Sequence, residues 1–178
     1  MALRFSILVT DNISGSGLQP LRENSQFELV EINDSSSTDF RSALTSADGL
    51  IVRSATKVGP DMLDEAQSLK VIGRAGVGVD NIDLDAATER GIAVLNAPAG
   101  NTVSAAELTL ALMLSVVRRV PGADASVRRG EWDRGRFKGA ELRGRTLGLV
   151  GAGRVGQEVA QRCRAFGMHV VVSDPYLT

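Results

Sequence analysis

The sequence predicts an α/β fold in which the strands of parallel sheets alternate with helices. Over the first hundred residues, short apolar segments of strand length alternate with segments of helical pattern. Near the end of the chain, an apolar segment at residues 147–150 leads into Gly-x-Gly-x-x-Gly, a helical segment and a second apolar segment at residues 169–173. Strands separated by helices favour a parallel sheet, because the helix carries the chain back to the start of the next strand.

Five strands and four helices are predicted in the first hundred residues. The strands are expected at residues 5–9, 27–32, 49–53, 69–73 and 92–95. The helices are expected at residues 18–23, from about residue 39, at residues 60–67 and at residues 84–90. The polar segment at residues 34–38 can cap the second helix, and Pro60 suits the first turn of the third.

A long helix is predicted next, beginning at Asn101 or Thr102 and ending near residue 119. Ser104 and Glu107 have the spacing of an alternative capping box. The interior of this helix is apolar on nearly every face, which is typical of a helix that is buried on all sides.

A shorter helix is expected at residues 123–129, because Pro121 is predicted to end the long one. The strand that precedes the glycine motif then opens a second α/β unit. We therefore place the boundary between two units at residues 96–100, which gives a first domain of residues 1–98 and a second of residues 99–178.

The composition indicates an ordinary globular protein without a strong charge. The chain has 178 residues, which suits one large domain or two small ones, and it is 43% hydrophobic and 23% charged. Lys and Arg number 20 against 21 acidic residues, for a net charge of −1. Without a basic field, we expect neither nucleic acid nor a membrane surface as a partner.

The cysteine content and the absence of apolar runs favour a cytoplasmic location. Cys163 is the only cysteine, which excludes an intramolecular disulfide and fits a reducing compartment. We expect it to be a buried structural thiol. No apolar run approaches the roughly 20 residues of a membrane span, and the N-terminus lacks the pattern of a signal peptide.

The glycine motif is predicted to bind a dinucleotide. Gly151 permits the tight turn after the strand, Gly153 lets the backbone approach a pyrophosphate, and Gly156 lets the helix pack closely on the strand. The helix N-terminus supplies amides and a positive dipole for the phosphates. Asp174 follows the second strand, where it can accept hydrogen bonds from ribose hydroxyls and repel a 2′-phosphate, so NAD is favoured over NADP. The alternative is a glycine-rich βαβ unit that binds nothing.

Two arginines at predicted strand ends are candidate anion ligands. Arg53 and Arg74 follow strands of one parallel sheet, and ligands bind beyond the carboxyl ends of such strands. Their guanidinium groups suit a phosphate or carboxylate, with Ser54 and Thr56 as further donors. The turn at residues 76–78 exposes consecutive backbone amides, which can form an anion-binding nest. The alternative is that both arginines are surface charges paired with neighbouring acids.

No catalytic group is predicted within the chain. His169 is the only histidine, and its place at the start of the last strand lies on the wrong side of the glycine motif for substrate chemistry. It is interpreted as a structural residue. The chain therefore offers no His–carboxylate pair for general acid–base catalysis and no cluster of metal ligands.

Several segments together resemble the D-2-hydroxyacid dehydrogenase family, and in particular its phosphoglycerate-oxidising branch. They are residues 53–58, 74–81, 101–107, 141–148 and 167–176. The resemblance covers nearly the whole chain from about residue 45. It implies a flavodoxin-like substrate-binding domain, which lacks its C-terminal return segment, followed by the first half of a Rossmann NAD-binding domain.

The resemblance also implies roles for individual residues. It places the substrate phosphate at Arg53, Ser54 and Arg74, and the substrate carboxylate at Gly76, Val77, Gly78 and Asn101. It places NAD at Val77, Gly151, Gly153, Arg154, Val155, Gly156 and Asp174. The family's catalytic arginine, glutamate and histidine are expected beyond Thr178, so the chain alone is predicted to be an inactive fragment that binds no metal.

The activity that the resemblance implies is NAD-dependent oxidation of 3-phosphoglycerate to 3-phosphohydroxypyruvate, the first step of serine biosynthesis. Two alternatives remain: a dehydrogenase of another 2-hydroxy acid, and a non-catalytic nucleotide-binding or dimerisation module. The resemblance further implies a homo-oligomer, either a dimer or a tetramer, in which the helix from Thr102 and the segment around Trp132 contact the partner subunit.

Overall fold

The computed structural model describes residues 4–176, which form two compact units. The first unit ends at Gly100 and the second begins at Asn101. Within residues 4–176, no helix combines the length and the apolar character needed to cross a membrane. The prediction of an α/β fold with parallel sheets is confirmed.

The first unit is a five-stranded parallel sheet with four helices. Its strands are β1 (Phe5–Val9), β2 (Phe27–Glu31), β3 (Gly49–Val52), β4 (Val71–Arg74) and β5 (Ala93–Asn96). Its helices are α1 (Gly15–Arg22), α2 (Thr38–Ser46), α3 (Pro60–Glu65) and α4 (Leu84–Glu89). All pairs are parallel and the strand order is β2-β1-β3-β4-β5, which is the flavodoxin-like order.

Both faces of this sheet carry apolar side chains, because parallel strands are covered by helices on both sides. On one face, Leu8, Leu50 and Ile72 are fully buried in the main core with residues of α2, α3 and α4. On the other face, Ile7 and Val9 pack against α1 in a smaller cluster. The polar segment before α2 does cap it, since the side chain of Ser37 accepts a hydrogen bond from the amide of Phe40.

Asp48, which precedes β3, forms hydrogen bonds to residues at the amino ends of β1 and β4. One carboxylate oxygen accepts the amide of Ser6 in β1 at 2.9 Å, and the other accepts Nζ of Lys70, which precedes β4, at 2.6 Å. The hydrogen bond from Lys70, with the amide of Ser6, holds the pKa of Asp48 below its usual range.

Several strand ends differ from the prediction by one or two residues. Local hydrogen bonds explain two of these differences. β3 ends at Val52 rather than at residue 53, because the amide of Arg53 is donated to the Asp11 carboxylate and not to a neighbouring strand. β4 begins at Val71 rather than at residue 69, because the amide of Leu69 is donated to the carbonyl of Ala66 in the preceding turn.

The second unit contains the glycine motif and a pair of parallel strands. Its helices are α5 (Thr102–Val117), α6 (Val120–Arg128) and α7 (Arg154–Ala165), and its strands are β6 (Thr146–Val150) and β7 (His169–Ser173). α5 packs against α7 around a core that includes Ala106, Leu110, Val159 and Cys163. Cys163 is fully buried, as predicted, and burial raises the pKa of its thiol.

The prediction that α5 is buried on all sides is wrong. Ala106 and Leu110 are buried, but Leu108, Leu112 and Val116 are 60%, 58% and 75% exposed. These three residues follow one another at intervals of four and therefore share one face of the helix. α7 packs on the opposite side of α5, and no described residue of the second unit covers this face.

The start of α6 also differs from the prediction. Pro121 does not end α5, which already stops at Val117, but lies in the first turn of α6. Arg119 separates the two helices because its backbone is left-handed, with φ of 54°. α6 therefore begins at Val120, three residues before the predicted start, and the ring of Pro121 fits there because the first turn needs no amide donor.

Candidate functional site

The predicted anion ligands of the first unit lie at the carboxyl edge of its sheet. Arg53 follows β3, Arg74 ends β4, and Val52 and Arg74 are paired in register. Ser54 is exposed beside Arg53. A cavity of about 510 Å³ opens next to Arg53 and is also lined by Ser14, Gly17 and Ala75.

The turn at residues 53–56 is held by two residues from other parts of the chain. The carboxylate of Asp11 accepts the amides of Arg53 and Thr56 at 2.7 and 3.1 Å, and the hydroxyl of Thr56 at 2.7 Å. Nδ2 of Asn81 donates to the carbonyls of the same two residues at 2.7 and 2.6 Å. The turn is therefore fixed at both ends.

The electrostatics of this edge keep Asp11 charged. Partial burial raises the pKa of Asp11, but the Thr56 hydroxyl, the amides of Arg53 and Thr56, and the positive charge of Arg53 together lower it below its usual range. Neither Arg53 nor Arg74 forms an ion pair with any residue between 4 and 176. Pairing with neighbouring acids therefore does not account for these two arginines.

The side chain of Arg74 lies across the turn at residues 76–78, which follows it. A Cβ atom on Gly76 would stand 1.8 Å from Nη1 of Arg74, so the guanidinium occupies the space that a side chain there would need. Nε of Arg74 is buried without an acceptor. The carbonyl of Gly76 accepts the amide of Ala97, and the carbonyl of Val77 accepts Nδ2 of Asn96 at 2.6 Å. These bonds connect the turn, including exposed Gly78, to the end of β5.

Each of the three glycines in the Gly-x-Gly-x-x-Gly motif of the second unit is required for a different structural reason. Gly151 has φ of +91°, a conformation that L side chains rarely adopt. Gly153 has an ordinary φ of −64°, and a Cβ added there would meet no atom within 4 Å, so its backbone faces open space. A Cβ on Gly156 would lie 2.5 Å from the carbonyl oxygen of Gly151, so α7 packs directly on the turn.

The carboxylate of Asp174 lies beside the glycine turn. One oxygen accepts the amide of Ala152 at 2.6 Å and the other accepts the amide of Tyr176 at 2.8 Å. These two bonds hold the pKa of Asp174 below its usual range. A carboxylate oxygen can accept more than one hydrogen bond, so both oxygens of Asp174 retain capacity for a ligand hydroxyl.

The remaining predicted residues lie at helix starts. Arg154 and Val155 open α7, and Val155 packs against the core of the second unit. Asn101 is the N-cap residue of α5, but its side chain makes no capping hydrogen bond. The alternative capping box is not formed, because Ser104 lies inside the helix and its hydroxyl donates to the carbonyl of Asn101.

Sequence reasoning assigned no role to Asp11, Asn81 or Asn96, although each hydrogen-bonds to the predicted anion site. A signal existed for Asp11, since it follows β1 just as Arg53 follows β3. His169 lies at the amino end of β7, about 13 Å of strand from the end that meets the glycine turn. Between residues 4 and 176, no three His, Cys, Asp or Glu residues are grouped so that they could hold a metal ion.

Comparison with known proteins gives a consistent result. The family model described as D-isomer specific 2-hydroxyacid dehydrogenase, catalytic domain, matches residues 7–171. The D-3-phosphoglycerate dehydrogenase of Bacillus subtilis (strain 168) is 53% identical over 174 residues, which cover 98% of this chain and 33% of that protein. The chain spans about a third of the length of the curated relatives it matches.

Solved structures share the fold over nearly the whole chain. The TT0316 protein from Thermus thermophilus matches with a TM-score of 0.87 and 40% identity, covering 98% of this chain and 57% of that one. The NAD⁺-bound 3-phosphoglycerate dehydrogenase of Entamoeba histolytica matches with a TM-score of 0.79 and 30% identity, covering 98% and 55%.

Proposed function

The chain belongs to the D-isomer specific 2-hydroxyacid dehydrogenase family, and from that premise we propose that it serves the NAD-dependent oxidation of 3-phosphoglycerate to 3-phosphohydroxypyruvate. That reaction is the first step of serine biosynthesis. The observation that carries the proposal is the pair of arginines at the carboxyl edge of β3 and β4, neither of which is ion-paired within residues 4–176. The chain spans a third of its relatives, so the proposal concerns the whole protein that contains these residues.

The arginines favour a phosphorylated substrate over other 2-hydroxy acids. A guanidinium presents a fork of donors that matches phosphate oxygens, and it binds two oxygens at once. Arg53 is exposed and Arg74 half-buried, and Ser54 adds a hydroxyl donor beside Arg53. An unphosphorylated substrate would leave both guanidinium groups without an ion-pair partner among residues 4–176. We assign the substrate carboxylate to the turn at residues 76–78.

The second unit is proposed to hold NAD, which accepts a hydride when bound. The open backbone at Gly153 and the amides at the start of α7 would bind the pyrophosphate, with Arg154 and Val155 beside it. The carboxylate of Asp174 would accept hydrogen bonds from the adenosine ribose. Its negative charge would repel a 2′-phosphate, which makes NAD the preferred cofactor over NADP.

The 178-residue chain by itself is proposed to be inactive. Oxidation of the hydroxyl group needs a proton acceptor next to the substrate carbon, which is typically worth 10²–10⁴ in rate. His169 is the only histidine, and it lies at the end of β7 away from the glycine turn. The test is NADH oxidation with 3-phosphohydroxypyruvate by this chain, beside a longer polypeptide of the relatives' length. Turnover by the chain within roughly a hundredfold of that control would contradict the proposal.

The phosphate assignment is tested by replacing Arg53 in the active protein. Arg53→Ala should raise KM for 3-phosphoglycerate far more than KM for an unphosphorylated 2-hydroxy acid, because only the first loses a charged contact. Arg41→Ala is the matched control, since it removes an exposed arginine that is already paired with Glu65. Equal losses on both substrates would give Arg53 a structural role and favour another 2-hydroxy acid.

We also propose that a second copy of the chain covers the exposed face of α5. The face formed by Leu108, Leu112 and Val116 is apolar, and Trp132 in the same unit is 79% exposed. Contiguous apolar surface of this kind marks interaction sites. Leu112→Glu should shift the protein from dimer to monomer in sedimentation experiments. An unchanged sedimentation coefficient, or a monomeric wild type, would contradict the assignment.

A further inference from the structure

The carboxylate of Asp11 accepts hydrogen bonds from the backbone amides at both ends of the turn at residues 53–56. Asp11 lies 42 to 45 residues earlier in the sequence, yet it accepts three hydrogen bonds from Arg53 and Thr56 at 2.7 to 3.1 Å. Thr56 is 2% exposed, so its hydroxyl is shielded from water. The turn is therefore fixed to the end of β1 by a charged group.

The opposite side of the same turn is held by an amide. Nδ2 of Asn81 donates to the carbonyls of Arg53 and Thr56, which are the same two residues that Asp11 holds by their amides. Asn81 is itself fixed, because its carbonyl accepts the amide of Val58 just beyond the turn. At both ends of the turn, the backbone amide is therefore hydrogen-bonded to Asp11 and the backbone carbonyl to Asn81, and neither of these residues belongs to the turn.

The backbone at Asp11 is in the left-handed conformation. Asp11 and Asn12 have φ of 64° and 50°, a region that few non-glycine residues occupy and that Asp and Asn tolerate best. Such conformations persist only where surrounding contacts fix them, and they concentrate at functional sites. In this chain the surrounding contacts are the hydrogen bonds to the turn and a bond from the amide of Asn12 to Asn33.

The guanidinium of Arg53 and the hydroxyl of Ser54 stay free, because Asp11 contacts the backbone amides of the turn and the hydroxyl of Thr56. Thr56, predicted as a further anion donor, is therefore not available to a ligand. The carboxylate of Asp11 accepts hydrogen bonds from two backbone amides and one hydroxyl, and it forms no ion pair with the guanidinium of Arg53. We infer that Asp11 and Asn81 are positioning residues that hold the turn so that Arg53 and Ser54 face a substrate phosphate. This inference rests on the proposed function, because it takes the phosphate to be the ligand of the turn.

The test compares phosphorylated and unphosphorylated ligands on the 178-residue chain. Binding of 3-phosphoglycerate and of D-glycerate is measured from amide chemical shifts in NMR titrations. In Asp11→Asn, the side-chain NH2 group replaces one of the two oxygens that accept hydrogen bonds from Arg53 and Thr56. An N–H group cannot accept these bonds, so the turn loses its fixed shape. We expect affinity for 3-phosphoglycerate to fall roughly tenfold, while affinity for D-glycerate is unchanged.

Two further variants separate positioning from folding. Thr56→Val keeps the buried volume but removes the hydroxyl that Asp11 accepts, and Thr56→Ser keeps the hydroxyl. The first should weaken binding of 3-phosphoglycerate and the second should retain it. Asp34→Asn is the matched control, since Asp34 accepts a similar amide and hydroxyl pair from Ser36 in an exposed turn of the same unit.

Each outcome has a distinct meaning. Selective loss of phosphoglycerate binding in Asp11→Asn and Thr56→Val, with Asp34→Asn unchanged, supports the inference. If the wild type prefers 3-phosphoglycerate and both variants retain that preference, the inference is overturned and the proposed function stands. If the wild type shows no preference between the two ligands, the phosphate assignment is wrong, and the inference that depends on it is wrong as well. If Asp11→Asn fails to fold, the comparison of Thr56→Val with Thr56→Ser tests the inference instead.

Discussion

Replacing Gly156 with alanine should destabilise the second unit through a single steric contact. The added Cβ would lie 2.5 Å from the carbonyl oxygen of Gly151 and 3.3 Å from Cδ2 of Leu149. The near atom belongs to the backbone, so it cannot rotate away as the end of a side chain can. Helix α7 and the glycine turn must separate by roughly 0.5 Å or more to restore ordinary contact.

The expected loss follows from two opposing contributions. Alanine is a better helix former than glycine by roughly 0.5–1 kcal/mol. Inserting a methyl group into a closely packed contact costs about 1–3 kcal/mol. Together these contributions allow a decrease of about 0–2.5 kcal/mol in the free energy of unfolding of the second unit. Because the contacted atom belongs to the backbone and cannot move aside, we expect a decrease of about 1–2 kcal/mol.

Cys163 provides an assay that reports on this unit alone. It is the only cysteine, it lies in α7, and it is fully buried. Modification by a thiol reagent requires the unit to open, and its rate follows the open population. A decrease of about 1–2 kcal/mol should raise the modification rate of Gly156→Ala roughly 5- to 30-fold. Urea unfolding followed by circular dichroism gives an independent value.

Gly153→Ala is the matched control, because it adds the same methyl group to the same turn. No atom lies within 4 Å of the new Cβ and the backbone angle suits alanine, so stability should change by less than about 0.5 kcal/mol. NAD affinity should nevertheless fall, since the methyl group stands where the pyrophosphate would approach. Equal Cys163 reactivity in Gly156→Ala and the wild type would refute the packing argument.

Three other changes test separate parts of the molecule. Asp174→Ser should lower NAD affinity by at least roughly tenfold and lower the preference for NAD over NADP, and an unchanged ratio of the two affinities would refute the ribose assignment. Gly76→Ala should displace the guanidinium of Arg74 and weaken binding of 3-phosphoglycerate in titrations, with little effect on folding, and retained affinity would contradict this. Asp48→Asn should lower the free energy of unfolding by about 1 kcal/mol at pH 7, measured in urea. Because the folded-state pKa of Asp48 is depressed, that difference should vanish as pH falls below 3.8 through the lowered value, and a pH-independent difference would point to another cause.

The parallel fold and the glycine turn were predictable because their signals are local. A strand covered on both faces is a short continuous apolar segment, as in residues 49–52, and it needs no knowledge of its neighbours. The requirement for glycine at positions 151 and 156 follows from one turn and the helix attached to it. The backbone angle at Gly151 and the contact at Gly156 agree with that reasoning.

The parts that escaped prediction depend on which elements become neighbours. Asp11 reaches Thr56 because β1 and β3 are adjacent, and the sequence does not display strand order. The exposure of Leu112 was missed for a related reason. An apolar pattern shows that a helix face avoids water, but it does not show whether the same chain supplies the cover.

The position of β1 in the middle of the sheet has a consequence for synthesis on the ribosome. β1 is made first, yet Val9 pairs with Ile51, which follows 42 residues later. At roughly 5–20 residues per second, β3 follows β1 out of the ribosome after roughly 2–8 seconds, and until then only the other partner, β2, can pair with β1. During that interval Leu8 and Val9, later among the most buried residues, are available to chaperones or to other nascent chains. Translation speed across residues 10–51 should therefore influence the yield of folded protein.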